Sequence, residues 1–379
     1  MKTRQKNHRA LMQSELRACM TESGFAAGNH HFVDLWARDS LFATLGANVS
    51  GMTAESKKTI ETFLRYQRAD GLIPYLILRS RHTIGKYFNI HSFYKEPVAH
   101  FRSHMSFGIV PDGGLMTVIA AADYAKVTRD YRFLTRQYDR LHKALSWYES
   151  RFGSGLIREW FQCEWADALL KVGNTLYTNV LYYKALSDMA WIAGKVKKTA
   201  DQKRFFNRAA LIRKHINEAL WTGSYFADWY DYKRQNYFAV HPNMLAVLFG
   251  LTTSEQANSI LGYAKRYTNN GWAMKNSYPE YPWWRVPLLH LVIGMGDYHN
   301  GLIWLQPGIL YAGALHKTGY RAEAKKTLRM IAEKITLTKG AHEVYERNGT
   351  PVRRRVYRSE HPFAWSAGLF LWISSILGK

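Results

Sequence analysis

The chain has 379 residues, 47% of them apolar and 15% aromatic, with a formal net charge of +23. That length fits one large domain or two medium ones, and the apolar content excludes a disordered chain. The charge would draw anionic partners such as nucleic acid, anionic lipid or an acidic glycan, but the basic residues are scattered, the densest runs being at 195–198 and 353–355, and no nucleic-acid motif accompanies them. A generally basic surface, with no nucleic-acid partner, is the simpler reading.

The first residues, MKTRQKNHRALMQSEL, are charged and lack the apolar stretch of a signal peptide. No window reaches about 18 consecutive apolar residues, so no transmembrane helix and no membrane partner are expected, and a cytoplasmic location follows. Residues 1–29 read as a leading helix and connector. Amphipathic periodicity then predicts helices over 40–48, 54–67, 114–126 and 131–151. The middle of the chain adds 176–193, 202–221, 243–249 and 254–267. The last third adds 301–318, where Pro307 should break or delay the helix, then 322–335 and 363–377. Thr253-Ser254-Glu255 and Thr199-Ala200-Asp201 read as helix starts, and Gly250, Gly319 and Gly378 as stops. Strand patterns are short, at 75–78, 225–229 and 341–345.

No linker or low-complexity stretch divides the chain, so 1–379 reads as a single all-α domain of paired helices. The absence of a fixed sequence period argues against a solenoid and leaves a closed ring of helical hairpins. In such a ring, loops at one end form the rim of a pocket. The segments 30–38, 88–112, 161–173, 228–243, 278–300 and 339–362 are rich in Trp, Tyr, His, Asp, Glu and Arg, as a rim carrying a site would be.

Cys19 and Cys163 stand far apart and imply no disulfide framework. There is no HExxH, and His100 and His104 have no carboxylate between them, so neither a metal nor a cofactor is expected. Four constellations carry chemistry. Trp36, Arg38 and Asp39 offer a stacking ring, a fork of donors and a carboxylate leading into a helix, where Asp39 could also serve only as a cap. Glu164-Trp165-Ala166-Asp167 places an acid beside an indole, which favours the protonated form, and either acid could be a general acid. Tyr298-His299-Asn300, with Trp304, supplies donors and rings at a helix start. In His342-Glu343-Val344-Tyr345-Glu346, strand alternation puts Glu343 and Tyr345 on one face, Glu343 as a candidate base, while Glu346 reads as a turn residue paired with an arginine. Asp112, closing the 88–112 loop, joins the residues expected to contact substrate. High aromatic content suits stacking on sugar rings, and two opposed carboxylates are what glycoside hydrolysis needs.

These segments resemble one family. Trp36-Ala37-Arg38-Asp39-Ser40-Leu41-Phe42 is similar to the W-G-R-D-[TS]-[LF] signature of the amylo-α-1,6-glucosidase domain of glycogen debranching enzymes. The run from Gln67 to Pro74, the pair Trp165-Ala166-Asp167-Ala168 with Leu181–Leu186, Tyr298-His299-Asn300-Gly301 with Trp304, and Ala364-Trp365-Ser366 follow in that family's order. Glu343 and Tyr345 resemble the E-x-Y of related processing α-glucosidases. The resemblance implies an (α/α)6 barrel and an exo-acting, inverting hydrolase of α-glucosides or other α-linked oligosaccharides. By matched position Asp167 is the general acid and Glu343 the base. Arg38, Asp39 and His299 line the terminal-sugar subsite, with Trp36, Asp112, Trp165, Tyr177, Asn300, Trp304, Tyr345 and Trp365 as further substrate contacts. Tyr75 and Tyr177 replace a family Asn and Glu, changes expected to alter the sugar pocket. Competing readings are a carbohydrate-binding protein on a degenerate barrel and a sugar epimerase, the latter needing paired pocket histidines.

Overall fold

The computed structural model of the chain describes residues 2–81 and 92–378; residues 88–91 of the loop expected at 88–112 lie outside them. Helices dominate, in chain order α1 (Lys2–Ala18), α2 (Ala37–Val49), α3 (Thr53–Arg65), α4 (Asp112–Thr128), α5 (Tyr131–Phe152), α6 (Leu176–Lys195) and α7 (Thr199–Leu220). They continue with α8 (Val240–Leu248), α9 (Ser254–Tyr267), the short α10 (Leu288–Val292), α11 (Leu305–Lys317), α12 (Arg321–Leu337) and α13 (Ala364–Leu377).

Two kinds of helix alternate. α2, α4, α6, α8, α11 and α13 are apolar nearly all round and buried over most of their length, as helices enclosed on every side must be. α3, α5, α7, α9 and α12 bury one stripe, for example Phe205, Ala209, Ile212, Ile216 and Leu220 of α7, and keep their charges in solvent. The buried helices pack in the order α2–α4–α6–α8–α11–α13, and α13 packs back on α2. The result is an inner ring of six helices, each preceded by an outer helix, α1 serving the first: an (α/α)6 barrel.

The ring closes where α2 crosses α13. A Cβ placed on Gly46 would lie 2.0 Å from the Gly368 carbonyl oxygen, and one on Gly368 2.5 Å from Ala43 Cα. Only hydrogen side chains permit that approach.

Turns from an inner to the next outer helix are short, such as 129–130 and 318–320. Connections from outer to inner helices are long: 19–36, 66–111, 153–175, 221–239, 268–304 and 338–363. All six polar-aromatic loops read from the sequence fall in or against these long connections, at the N-terminal end of the inner ring. Short strands tie neighbouring connections together. Leu35–Trp36 pairs with Leu76–Ser80, Asn174–Thr175 with Trp229–Tyr230, Phe238–Ala239 with Ser277–Tyr278, and Ile303–Trp304 with Val344–Tyr345. A bridge from Gly28 to Phe363 joins the sixth connection back to the first.

Helix boundaries match the sequence periodicity closely, with informative shifts. The helix expected from residue 301 begins at Leu305, where Pro307 occupies its first turn and its missing N–H is not needed. Pro242 sits at the same place in α8, so that helix starts at Val240 rather than 243. Thr253 caps α9 in a reciprocal capping box with Gln256. Cys19 and Cys163 are free and buried.

Candidate active site

The long connections enclose a cavity of about 280 Å³ at the N-terminal end of the inner ring. Of the residues expected at the site, Trp36, Arg38, Asp39, Trp165, Asp167, His299, Trp304, Glu343 and Trp365 line it. Its depth is aromatic. Trp365 stacks on Phe42 at 5.3 Å between ring centroids, Trp165 stands edge-on to Trp365 at 6.2 Å, and Trp304 stacks on His299 at 4.8 Å. These rings are buried, whereas Met105 and Ile293 on the same wall are 46% and 38% exposed, so the cavity has a closed floor and a mouth.

Asp167 follows Trp165 in the third connection. Its side chain is 43% exposed, reaching into the cavity, and Oδ1 stands 3.8 Å from His299 Nδ1, too far for a hydrogen bond. Enclosure by protein pushes its carboxyl up to about 6, with Arg38 opposing and Asp112 reinforcing the shift. The protonated acid is thereby populated near neutral pH.

Glu343 enters from the sixth connection and is 1% exposed. The hydroxyls of Tyr298 and Tyr357 donate to its two oxygens, and the Glu360 N–H reaches Oε2 at 3.4 Å. Burial raises its pKa; His31 and the two phenols oppose that rise by favouring the carboxylate.

Arg38 and Asp39 open α2. Asp39 lines the cavity and is the third residue of the helix, whose N-cap is Trp36. Burial, offset in part by Arg38 and increased by Glu343, pushes its carboxyl to about 7. His299 is neutral: burial, with His290, Lys171 and Arg38 nearby, holds its pKa well below the ordinary value. Its Nδ1 accepts the Ala168 N–H at 3.2 Å, so the ring hydrogen belongs on Nε2, a buried atom with no protein partner.

Four residues expected to touch the sugar stand elsewhere. Asp112 is 1% exposed behind the wall and takes Arg38 Nε at 2.7 Å, fixing the guanidinium. Tyr177 lies fully buried under Arg38, its ring centroid 5.9 Å from the guanidinium carbon. Asn300 clamps the backbone of Tyr281 through both ends of its amide, at 2.7 Å each. Tyr345 turns away from Glu343: its hydroxyl accepts from His342 N–H at 2.9 Å and donates to the Gly340 carbonyl at 3.1 Å. The alternation argument fails there because the strand is only Val344–Tyr345, and Glu343 precedes it.

The alternative acids are engaged otherwise. Glu164 is buried in an ion pair with Lys171 at 2.6 Å, which also holds Asp228 at 2.7 Å, away from the cavity wall. Glu346 pairs with Arg354 at 3.1 Å, as its turn position suggested. His104 reaches the cavity wall while His100 stays on the strand Phe93–His100 behind it, with ring centroids 4.8 Å apart. His30, His31 and Glu360 bring ligand atoms within 4.8 Å of one another. Glu360 spends both oxygens on the backbone N–H groups of residues 29–32, so it orders that loop rather than offering a metal site.

Sequence reasoning named Tyr298 only among the donors and rings at a helix start, not as a partner of Glu343; it gave no role to Tyr357 and did not name His290, Met105 or Met295, and all five line the cavity. Tyr298 sits inside a quoted motif, so adjacency to His299 was a usable signal. Tyr357, within Arg353-Arg354-Arg355-Val356-Tyr357-Arg358, had none. Tyr75 lines the cavity, as its departure from the family pattern suggested.

Comparison with known proteins agrees with this fold. The family described as amylo-alpha-1,6-glucosidase matches residues 9–96, and the bacterial alpha-L-rhamnosidase six-hairpin glycosidase domain matches residues 103–275. The chain has the six-hairpin glycosidase fold. A GH63 mannosylglycerate hydrolase from Thermus thermophilus, solved with Tris, is similar over 96% of this chain and 99% of its own, at 15% identity and a TM-score of 0.70. A rhamnosidase from Klebsiella oxytoca with rhamnose bound is similar over 98% of this chain and 63% of its own, at 15% identity and a TM-score of 0.69. A GH78 family rhamnosidase of a Bacillus species has 18% identity and a TM-score of 0.69, covering 97% of this chain and 34% of its own. No curated protein sequence matches. The debranching-enzyme family model thus matches the first quarter of the chain, while the six-hairpin architecture spans the whole barrel. Both matching families are glycosidases, and glycoside hydrolysis is the reaction class the chain shares with them.

Proposed function

We propose that this six-hairpin glycosidase is an exo-acting, inverting hydrolase of α-linked glycosides, with Asp167 as general acid and Glu343 as general base. The observation that carries the reading is the placement of these two carboxylates on one cavity in opposite settings. Asp167, exposed to the cavity and with its pKa raised to about 6, is suited to protonate a leaving oxygen. Glu343, held by two phenolic donors, is suited to keep a carboxylate that takes a proton from water. In inversion the water stands between base and anomeric carbon, which requires carboxyl groups about 6.5–9.5 Å apart.

Arg38, fixed by Asp112, and Asp39 line the cavity where they can hold hydroxyls of the terminal sugar. The aromatic floor supplies a stacking surface and closes one end, which supports cleavage from a chain end. An acidic sugar is disfavoured in this subsite: among the described cavity residues Arg38 faces Asp39, Asp167 and Glu343, and His299 is neutral. The charge of +23 therefore acts elsewhere.

Proton NMR of the first product from a panel of α-linked disaccharides and aryl α-glycosides tests the proposal. A β-anomer is expected. An α-anomer would overturn inversion, and an epimerised but unhydrolysed sugar would favour the epimerase reading.

A further inference from the structure

Beyond the catalytic cavity, the fifth connection carries a crest of apolar side chains in solvent. Trp283 and Trp284 are 69% and 61% exposed, Leu288 74%, Leu289 57% and Val292 75%. A concentration of that kind marks a surface that meets something apolar. The crest is held from both flanks. Arg285 donates to the Leu170 carbonyl at 3.2 Å, and the Leu170 N–H donates back to the Arg285 carbonyl at 2.7 Å. On the other side Arg354 donates to the Gly294 carbonyl at 2.8 Å and pairs with Asp297 at 2.6 Å. Arg354 belongs to a tight turn closed by a bridge between Arg353 and Arg358, on which Arg353, Arg355, Val356 and Arg358 are exposed. His290 and Ile293 of the crest and Tyr357 of the turn line the cavity, so crest and arginines stand together at its mouth.

We propose that this mouth docks on an anionic lipid surface. Trp283, Trp284, Leu288, Leu289 and Val292 enter the boundary between headgroups and acyl chains, and Arg353, Arg355 and Arg358 meet the lipid phosphates, so that the cavity faces glycosides carried at that surface. Indole rings and short apolar side chains favour that boundary, and basic residues beside them add attraction to anionic headgroups. Charge selects this occupant over a second copy of the chain, which would bring the same arginines and another +23 against the same face. The sequence argument against a membrane partner concerned spanning helices, and no helix among the described residues is long and apolar enough to cross a membrane; docking at a surface requires none.

Co-sedimentation of the full chain with phosphatidylcholine vesicles, with and without phosphatidylglycerol, tests the proposal. The protein should pellet with the anionic vesicles and lose binding as salt rises. The pairs Trp283→Ala/Trp284→Ala and Leu288→Ser/Leu289→Ser should each lower partitioning by ~10-fold or more, with the thermal midpoint unchanged. Arg353→Gln/Arg355→Gln should weaken binding and flatten its salt dependence. Protein left in the supernatant with every vesicle would overturn the proposal. So would binding that ignores both crest pairs, which is attraction by charge alone, or a dimer dissolved by the crest pairs in a protein that ignores vesicles.

Discussion

Asp167 and Glu343 are carboxylic acids on one cavity, yet their surroundings differ in nearly every respect. Asp167 reaches into open space with His299 Nδ1 3.8 Å away, and its charged form has little to stabilise it beyond Arg38. Glu343 is sealed in the wall, with hydroxyls of Tyr298 and Tyr357 on its two oxygens. Burial raises both, but at Glu343 it is met by donors built from two different connections, 268–304 and 338–363. The contrast shows how one fold assigns opposite proton-transfer duties to the same functional group: by furnishing or withholding hydrogen-bond donors.

The contrast breaks most visibly at Glu343. Glu343→Gln should lower kcat by ~10⁴-fold, with no recovery on aryl glycosides, because the water still lacks its base; steady-state rates on both substrate types check this. Asp167→Asn should cost ~10²–10³-fold on a disaccharide and far less on a dinitrophenyl glycoside, whose leaving group needs no proton. Equal losses on the two substrates would deny Asp167 the acid's role. Removing one donor sharpens the comparison further. Tyr357→Phe should lower kcat/KM by ~10-fold at neutral pH and move the acidic limb of its pH profile upward, since the Glu343 carboxylate loses a partner. In the wild type the alkaline limb of kcat/KM should fall near pH 6, where Asp167 loses its proton, and it should vanish in Asp167→Asn.

The smallest effect is on stability. The folded-state pKa of Asp167 is raised, so its contribution to stability is whole below the unfolded value and is lost as pH rises through about 6. Asp167→Asn should therefore melt higher than wild type at pH 8, with the gap closing toward pH 4. Thermal unfolding at the two pH values measures it. Partial exposure of this side chain keeps the expected gain to roughly 1 kcal/mol or less.

Most of the barrel was legible in the sequence because alternation between uniformly apolar and striped helices is a property of local patterning. α9 is bounded at Ser254–Tyr267 as its periodicity and its Thr253 cap require. The site was legible where residues open an inner helix: Trp36, Arg38, Asp39 and Trp304 stand at or beside the start of one, and Trp365 is the second residue of another. It was illegible where a side chain's duty depends on what lies behind it. Asp112 and Arg38 are 74 positions apart, and nothing local says that the acid serves the guanidinium rather than a sugar. Asn300 and Tyr345 were assigned by neighbourhood in the chain, but backbone groups of Tyr281, His342 and Gly340 claim them. Tyr357 was hidden for the converse reason: it reaches Glu343 from a turn whose sequence reads only as basic.

The contact between Gly46 and Gly368 joins positions 322 apart (368 − 46) and works as a clasp on a circular wall. Until α13 is in place, the apolar flank of α2 has no neighbour on that side, however well the intervening hairpins have formed. Closing so long a loop carries a high entropic cost before any contact repays it. A segment synthesised late thus seals one synthesised early, and a methyl group at either glycine would leave an assembled row of hairpins that fails to shut.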